Sequence, residues 1–223
     1  MSAAAIRHPL LDACGVEHGF GVRDAPTPQP LARPKQVHGS VVAAASECAG
    51  PAPREADAVV CDEPGERVGI VTADCVPVLM ASEDGGAVAA IHAGWRGLAA
   101  GVVEAGVARL RALSGGCELV AVIGPHIGPC CYEVDTPVID AMAERLAASL
   151  AASTTPSRPG RVLLDLGRLT RATLLSEGLA SRAVAQLSGA CTRCDAVRFH
   201  SYRRDGARSG RLTHHIAARV PQA

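Results

Sequence analysis

The sequence predicts a mixed α/β fold that is neither a barrel nor a Rossmann sheet. Three observations carry this. Short apolar runs with strand character and longer runs with helical spacing follow one another without regular βα alternation. Two of the strand-like runs flank Glu83-Asp84-Gly85-Gly86, a good hairpin turn. Hydrophobic residues make up 48% of the 223 but aromatic ones only 2%, so the core is built from Ala, Val and Leu. That length fits one large domain or two small ones and can bury a full core.

Taken in order, the chain is mostly irregular up to Pro34, with a short strand near 19–22. Pro26, Pro28, Pro30 and Pro34 then make an extended connector that cannot be helical. Residues 40–45 read as a strand, 48–54 as a Pro/Gly loop and 58–61 as a strand before the turn at Glu63-Pro64-Gly65. Strands follow at 68–72, 76–81 and 87–91. A helix is predicted over 98–113, with Leu98, Val102, Val107 and Leu110 at helical spacing. Beyond a strand at 119–123 and the loop GPHIGPCCYEV, a second helix covers 136–150, with Ile139, Met142, Leu146 and Leu150 on one stripe. A Ser/Thr/Pro linker covers 151–160 and a strand 162–164. Asp165 caps a helix over 166–175, and a strand at 184–187 precedes CTRC. The tail holds one or two closing strands. No repeat of 20–50 residues and no heptad pattern is present.

Composition excludes several classes of function. Lys+Arg and Asp+Glu are equal at 22 each, so no whole-chain charge attracts nucleic acid or anionic lipid. No apolar run approaches the ~18 residues of a membrane span. The 9 cysteines are an odd number without framework spacing. Reduced thiols and a cytoplasmic location are therefore expected. The oligomeric state, monomer or dimer, stays open.

The chemistry gathers around residues 70–97, IVTADCVPVLMASEDGGAVAAIHAGWRG. One apolar run ends at Asp74-Cys75 and the next at His92, before Gly94-Trp95-Arg96-Gly97; His38 lies upstream in KQVHGS. His38, Cys75 and His92 are expected to meet around one metal ion. Three N/S ligands with an open position describe a catalytic zinc site. The plain alternative is a loop His, a buried thiol and a turn His. Asp74, beside Cys75, offers a carboxylate to orient a ligand or move a proton. The glycines around Trp95-Arg96 make either an anion-binding helix start served by Arg96 or a tight turn with Arg96 in solvent. In GPHIGPCCYEV, Cys130 or Cys131 beside His126 is a candidate thiolate pair. Adjacent side chains on extended chain point apart, so at most one Cys is expected to be chemical. Cys191–Cys194 is a lone CxxC with no second pair nearby in sequence, read as two reduced thiols. Arg203 or Arg204 could reach a phosphate. His214-His215 lies in a strand with its rings on opposite faces, so it is not a ligand pair.

KQVHG, ADAVVCDEPG, VTADCVPVLM, AAIHAGWRG, IGPHIGPCCYEV and FHSYRRDGARSGR stand in the order of one family. From about Lys35 to Arg211 the chain resembles the laccase-domain family, also called the multicopper polyphenol oxidoreductase or peptidoglycan-editing-factor family. Its members are regarded as purine nucleoside phosphorylases. The resemblance implies a single-domain α/β/β/α layered sandwich with mixed sheets, and one zinc ion on His38, Cys75 and His92. It also implies phosphorolysis of purine nucleosides with adenosine deamination as a second activity; copper-dependent phenol oxidation is an older label. The catalytic set is then Asp74, Cys75, His92 and Arg96. Trp95, Arg96, Cys130 and Arg203 are expected to touch the nucleoside or phosphate. After HGFGVR the family has a longer segment with an Asn-Leu-Gly type motif, whereas residues 24–33 here pass almost directly to KQVHG. This shortened segment is expected to leave the pocket more open and turnover weak.

Three other functions compete. A thiol hydrolase acting on a cell-wall precursor would use Cys75 or Cys130 with His92 or His126 and would survive chelation. A copper oxidase needs many more His ligands than the two expected to converge. A non-enzymatic zinc-stabilised domain would fold with metal and turn over no nucleoside.

Overall fold

The computed structural model describes residues 3–221. A one-turn helix α1 (Pro9–Asp12) and strand β1 (Glu17–Gly19) lead through an irregular connector to β2 (Val42–Ala44). Then come β3 (Ala58–Cys61), β4 (Arg67–Thr72), β5 (Val76–Ser82) and β6 (Val88–Ala93). Helices α2 (Trp95–Ala100) and α3 (Val102–Leu113) precede β7 (Leu119–Ile123), β8 (Glu133–Asp135) and α4 (Thr136–Ala152). The chain closes with β9 (Thr154–Pro156), β10 (Arg161–Leu164), α5 (Leu166–Ser176), β11 (Val184–Gln186), α6 (Tyr202–Asp205) and β12 (Leu212–Ala217).

Side-chain parity in the central strands sets the layers. All residues of β5, β6 and β7 are buried, so both faces of their sheet are covered. Val78, Met80, Ala89, Ile91, Ala121 and Ile123 face one apolar cluster, together with Val107 and Leu110 of α3, Met142 of α4 and Leu169 of α5. The alternate residues Leu79, Ala81, Val88, Ala90, Val120 and Val122 face a second cluster with Val68, Ile70 and Ile216. Each fully buried Val, Leu or Ile contributes about 1.5–3 kcal/mol. The main sheet runs β11-β7-β5-β6-β3-β2, with β2–β3 and β7–β11 parallel and the other pairs antiparallel. A second sheet, β1-β12-β4, is antiparallel throughout, and a small β8-β10-β9 sheet stands apart from both. Leu11 of helix α1 is fully buried in the inter-sheet cluster. The fold is thus a single-domain mixed α/β sandwich, as the sequence led one to expect.

Several boundaries differ from expectation for local reasons. The helix predicted over 98–113 starts at Trp95 and breaks at Gly101, whose φ of 87° ends α2 and opens α3. The predicted linker 151–160 contains the end of α4 and the strand β9. The first strand lies at Glu17–Gly19, ahead of 19–22. The connector 24–34 is free of helix as predicted, but it opens on the left-handed Asp24 and bends at Gln29–Pro30. Ala32 bridges Val68, its N–H reaching Arg67 O at 2.9 Å, so the connector lies along β4. Gln36 extends that contact with its side chain: Nε2 donates to Val71 O and Oε1 accepts from Val71 N, both at 2.8 Å.

Candidate metal centre and substrate cavity

The three residues nominated as ligands come from three different elements. His38 sits in the loop before β2, Cys75 in the turn between β4 and β5, and His92 near the end of β6. Their ligand atoms all lie within 4.8 Å of one another. The His38 and His92 rings meet edge to face with centroids 4.8 Å apart. His38 and Asp74 both adopt left-handed backbone, with φ of 62° and 92°. A non-glycine residue there stores strain that surrounding contacts must hold. Gly94 keeps the centre clear, since a Cβ on it would stand 2.9 Å from Cys75 Sγ and 3.3 Å from His38 Cδ2.

The residue holding this geometry is Asp57, which the sequence reading did not single out. Its fully buried carboxylate accepts the backbone N–H groups of Val37 (3.2 Å), His38 (2.9 Å) and Gly39 (2.7 Å). Successive N–H groups wrapped around an anion make a nest, and this one locks the His38 loop. The same carboxylate accepts Nδ1–H of His92 at 2.8 Å, leaving Nε2 for a metal. A carboxylate behind a ligating imidazole is the usual arrangement in metal sites. Burial works against the charge on Asp57, but His92 and the backbone donors outweigh it and hold the carboxyl below its ordinary range. A signal existed in ADAVV: a charged side chain in an apolar run must find partners. Burial also opposes ionisation of Cys75, yet hydrogen bonds from His38 and His92 outweigh it and bring the thiol down to about 6. Burial disfavours charge on His92 as well, and its bonds to Asp57 and Cys75 reverse that, raising it to about 9. The outer partner expected of Asp74 is therefore Asp57. Asp74 accepts instead from Thr192 Oγ1 and from Arg203 N, each at 2.6 Å, and so ties the C-terminal loops to the Cys75 turn.

A cavity of about 600 Å³ opens over the Cys–His–His cluster. It gathers Trp95, Tyr132 and Tyr202, which are the only Trp and both Tyr residues of the chain. Arg33, Lys35, Arg96, Arg203 and Arg211 also line it, with Asp74 as the lone acidic side chain. The Arg96 guanidinium lies 4.3 Å from the Trp95 ring centroid, and Arg203 lies 5.0 Å from that of Tyr132. Burial, with the Cys75 charge behind it, pushes the Tyr132 phenol up to about 12. The sequence reading gave Tyr132 no role of its own; the loop that carries it places it in the cavity.

Cys130 does not line this cavity. Residues 129–131 form a turn, closed by Cys131 N to Gly128 O at 3.0 Å, rather than extended chain. The turn puts both cysteines on one side, against Cys191 and Cys194. The expected His126 thiolate pair is also missing: buried His126 turns its Nδ1 to Gly124 O at 2.7 Å. His214 and His215 do separate: His214 bonds Thr72 Oγ1 at 2.8 Å, and His215 stands over Gly19.

Fold and site together define a mixed α/β sandwich with a thiolate–imidazole centre at the base of an aromatic, arginine-lined cavity. The chain belongs to the multi-copper polyphenol oxidoreductase laccase family, which it matches over residues 22–219. A Pseudomonas aeruginosa protein named purine nucleoside phosphorylase is 42% identical over 177 residues, 79% of this chain and 69% of that protein. A Xylella fastidiosa protein of the same name is 44% identical over 157 residues, 70% of this chain and 58% of its own length. This chain therefore spans little more than half the length of the Xylella relative. Among solved structures, a Neisseria meningitidis protein superposes with a TM-score of 0.76 at 36% identity, covering 86% of this chain and 76% of that one. YlmD from Geobacillus stearothermophilus superposes with a TM-score of 0.85 at 25% identity, covering 99% and 98%.

Proposed function

We propose that the chain is a zinc-dependent purine nucleoside phosphorylase for adenosine, inosine, guanosine and methylthioadenosine, with adenosine deamination as a second activity. One observation carries this reading: an aromatic-poor chain places its Trp and both Tyr in one cavity, beside a row of cations. Aromatic faces suit a flat base, and guanidinium groups suit phosphate oxygens. The names of the relatives support the same substrates.

The donor set of two imidazoles and one thiolate, with an open side toward the cavity, fits zinc better than a multicopper centre, which needs more imidazoles. Bound at His38, Cys75 and His92, zinc supplies Lewis-acid polarisation of a substrate oxygen. The chain's own residues do the rest. Arg96 and Arg203 hold phosphate against the ribose. Trp95 and Tyr132 orient the base, and Asp57 keeps His92 in the tautomer that offers Nε2. A phosphate oxygen then bonds to ribose C1′ as the C1′–N9 bond breaks. The electron pair leaves on the purine, which takes up a proton, giving free base and ribose 1-phosphate. Asp74 neighbours the reacting region and is proposed to help orient Arg203 through its backbone.

The test is metal analysis of purified protein together with product analysis on adenosine plus phosphate. Adenine with ribose 1-phosphate supports phosphorolysis, inosine supports deamination, and neither product overturns the reading. The short connector at 24–34 and exposed His38 argue for weak turnover. A catalytic efficiency equal to that of a full-length relative would refute that part. A thiol hydrolase is the second reading, favoured by the lowered Cys75 thiol; activity surviving exhaustive chelation would select it. No helix among the described residues is long and apolar enough to cross a membrane, and all nine cysteines are free, which supports a cytoplasmic enzyme.

A further inference from the structure

The chain has a second cluster of metal-ligating side chains, outside the cavity and unused by the chemistry above. Cys130 and Cys131, in the turn after β7, meet Cys191 and Cys194, in the turn after β11. The sulfur–sulfur separations are 3.6 Å for Cys130–Cys131, 3.7 Å for Cys130–Cys191, 3.6 Å for Cys130–Cys194 and 3.3 Å for Cys131–Cys194. A disulfide requires about 2.05 Å. Four Zn–S bonds of about 2.3 Å in a tetrahedron imply edges of about 3.8 Å. These four edges, at 3.3–3.7 Å, lie closer to the second figure than to the first. Packing does not account for the cluster either. An unbonded Cys is usually buried as a small hydrophobe, yet Cys130 and Cys194 are exposed.

The surroundings suit a thiolate-bound cation. Gly128 N–H points at Cys191 Sγ from 3.2 Å, and the Arg193 guanidinium reaches Cys131 Sγ at 3.5 Å. Both offset the negative charge that four thiolates leave around a divalent ion. The carboxylate next to Cys194, Asp195, is taken by Arg198. Cys191-x-x-Cys194 has the usual spacing of a structural zinc pair, and the adjacent Cys130-Cys131 is made usable by its turn.

We propose that these four cysteines bind one zinc ion as a structural site separate from the His38–Cys75–His92 centre. Its place explains what it does. Tyr132, in the cavity, follows Cys131 directly. Thr192, between Cys191 and Cys194, donates to Asp74, next to Cys75. The two turns are also joined by Thr192 N to His126 O at 3.0 Å. The ion clips the loop that carries Tyr132 into the cavity to the loop whose Thr192 holds Asp74.

The experiment is zinc quantification and zinc X-ray absorption spectroscopy on the whole chain, purified under reducing conditions, with Cys194→Ser and Cys75→Ala alongside. The wild type should hold about two equivalents, with roughly five sulfurs to two imidazole nitrogens over both first shells. Cys194→Ser should lose about one equivalent and keep the imidazole signature, whereas Cys75→Ala should leave an all-sulfur shell. If either variant fails to fold, the wild-type shell composition decides. About one equivalent with an all-sulfur shell would support this site while refuting zinc at His38. One equivalent with an imidazole-rich shell would overturn the proposal. So would unchanged stoichiometry in Cys194→Ser, or a Cys131–Cys194 disulfide recovered by peptide mapping of the alkylated wild type.

Discussion

Replacing Asp57 by Asn tests which carboxylate governs the metal centre. Both oxygens of Asp57 are used: Oδ1 accepts from His38 N and His92 Nδ1, and Oδ2 from Val37 N and Gly39 N. Asn keeps the shape but offers a single acceptor oxygen. Whichever way the amide lies, one pair of donors faces an NH2 group in a fully buried site. A hydrogen bond to a charged group is worth about 1.5–3 kcal/mol, so losing two costs on the order of 3–6 kcal/mol. Most of this falls on folding stability. The part that misorients His92 appears in zinc affinity as a loss of about 10–100-fold. Urea unfolding with chelator present reads the first quantity, and competition with a fluorescent zinc chelator reads the second. Asp74→Asn is the control, because Asp74 binds Thr192 and Arg203 rather than a ligand. An Asp57→Asn protein with wild-type zinc affinity, or a larger loss in Asp74→Asn, would refute this assignment.

Gly94→Ala should fold normally, since its φ of −76° suits alanine, but should weaken zinc binding roughly tenfold or more by pressing on Cys75 Sγ; unchanged affinity in calorimetry would count against the crowding argument. Arg96→Ala should raise KM for phosphate about tenfold, the cost of one charge-assisted contact, and leave zinc content alone; steady-state kinetics with phosphate varied decides. Stability should fall in acid, because burial lowers His214 to about 3 in the fold while the unfolded ring titrates near its ordinary value of 6.5. Between those values the unfolded state binds the extra proton, so going from pH 7.5 to pH 5 removes about 2 kcal/mol. Denaturant titrations should show that slope reduced in His214→Gln, and an identical slope in both proteins would exclude His214 as its source.

The convergence of His38, Cys75 and His92 was legible because Cys75 and His92 follow or close apolar strands and His38 precedes a glycine. Local signals also placed the hairpin around Asp84 and the proline connector. What stayed hidden depended on contacts between distant segments. Asp57 matters because the 37–39 loop folds over it, about twenty residues back along the chain. The tetrad of thiols is not legible locally, because Cys130-Cys131 reads as extended chain and the CxxC stands alone in its own segment. A turn closed by Gly128 O and a parallel contact of His126 with Cys191 bring the pairs together. Two close cysteine pairs in one chain were a countable signal. The break at Gly101 was hidden because helical spacing continues across a left-handed residue.

The connector that lies along β4 also bears on how the protein behaves at high concentration. β4 is the outer strand of its three-stranded sheet, and an unguarded outer strand is a template on which another molecule can add its own strand. Here Ala32 occupies the rung opposite Val68, and the Gln36 side chain fills the one opposite Val71. Pro30 and Pro34 flank Ala32 and have no N–H to offer outward. The strap ends the ladder rather than lengthening it, so the proline-rich stretch guards against edge-to-edge self-association while leading the chain to His38.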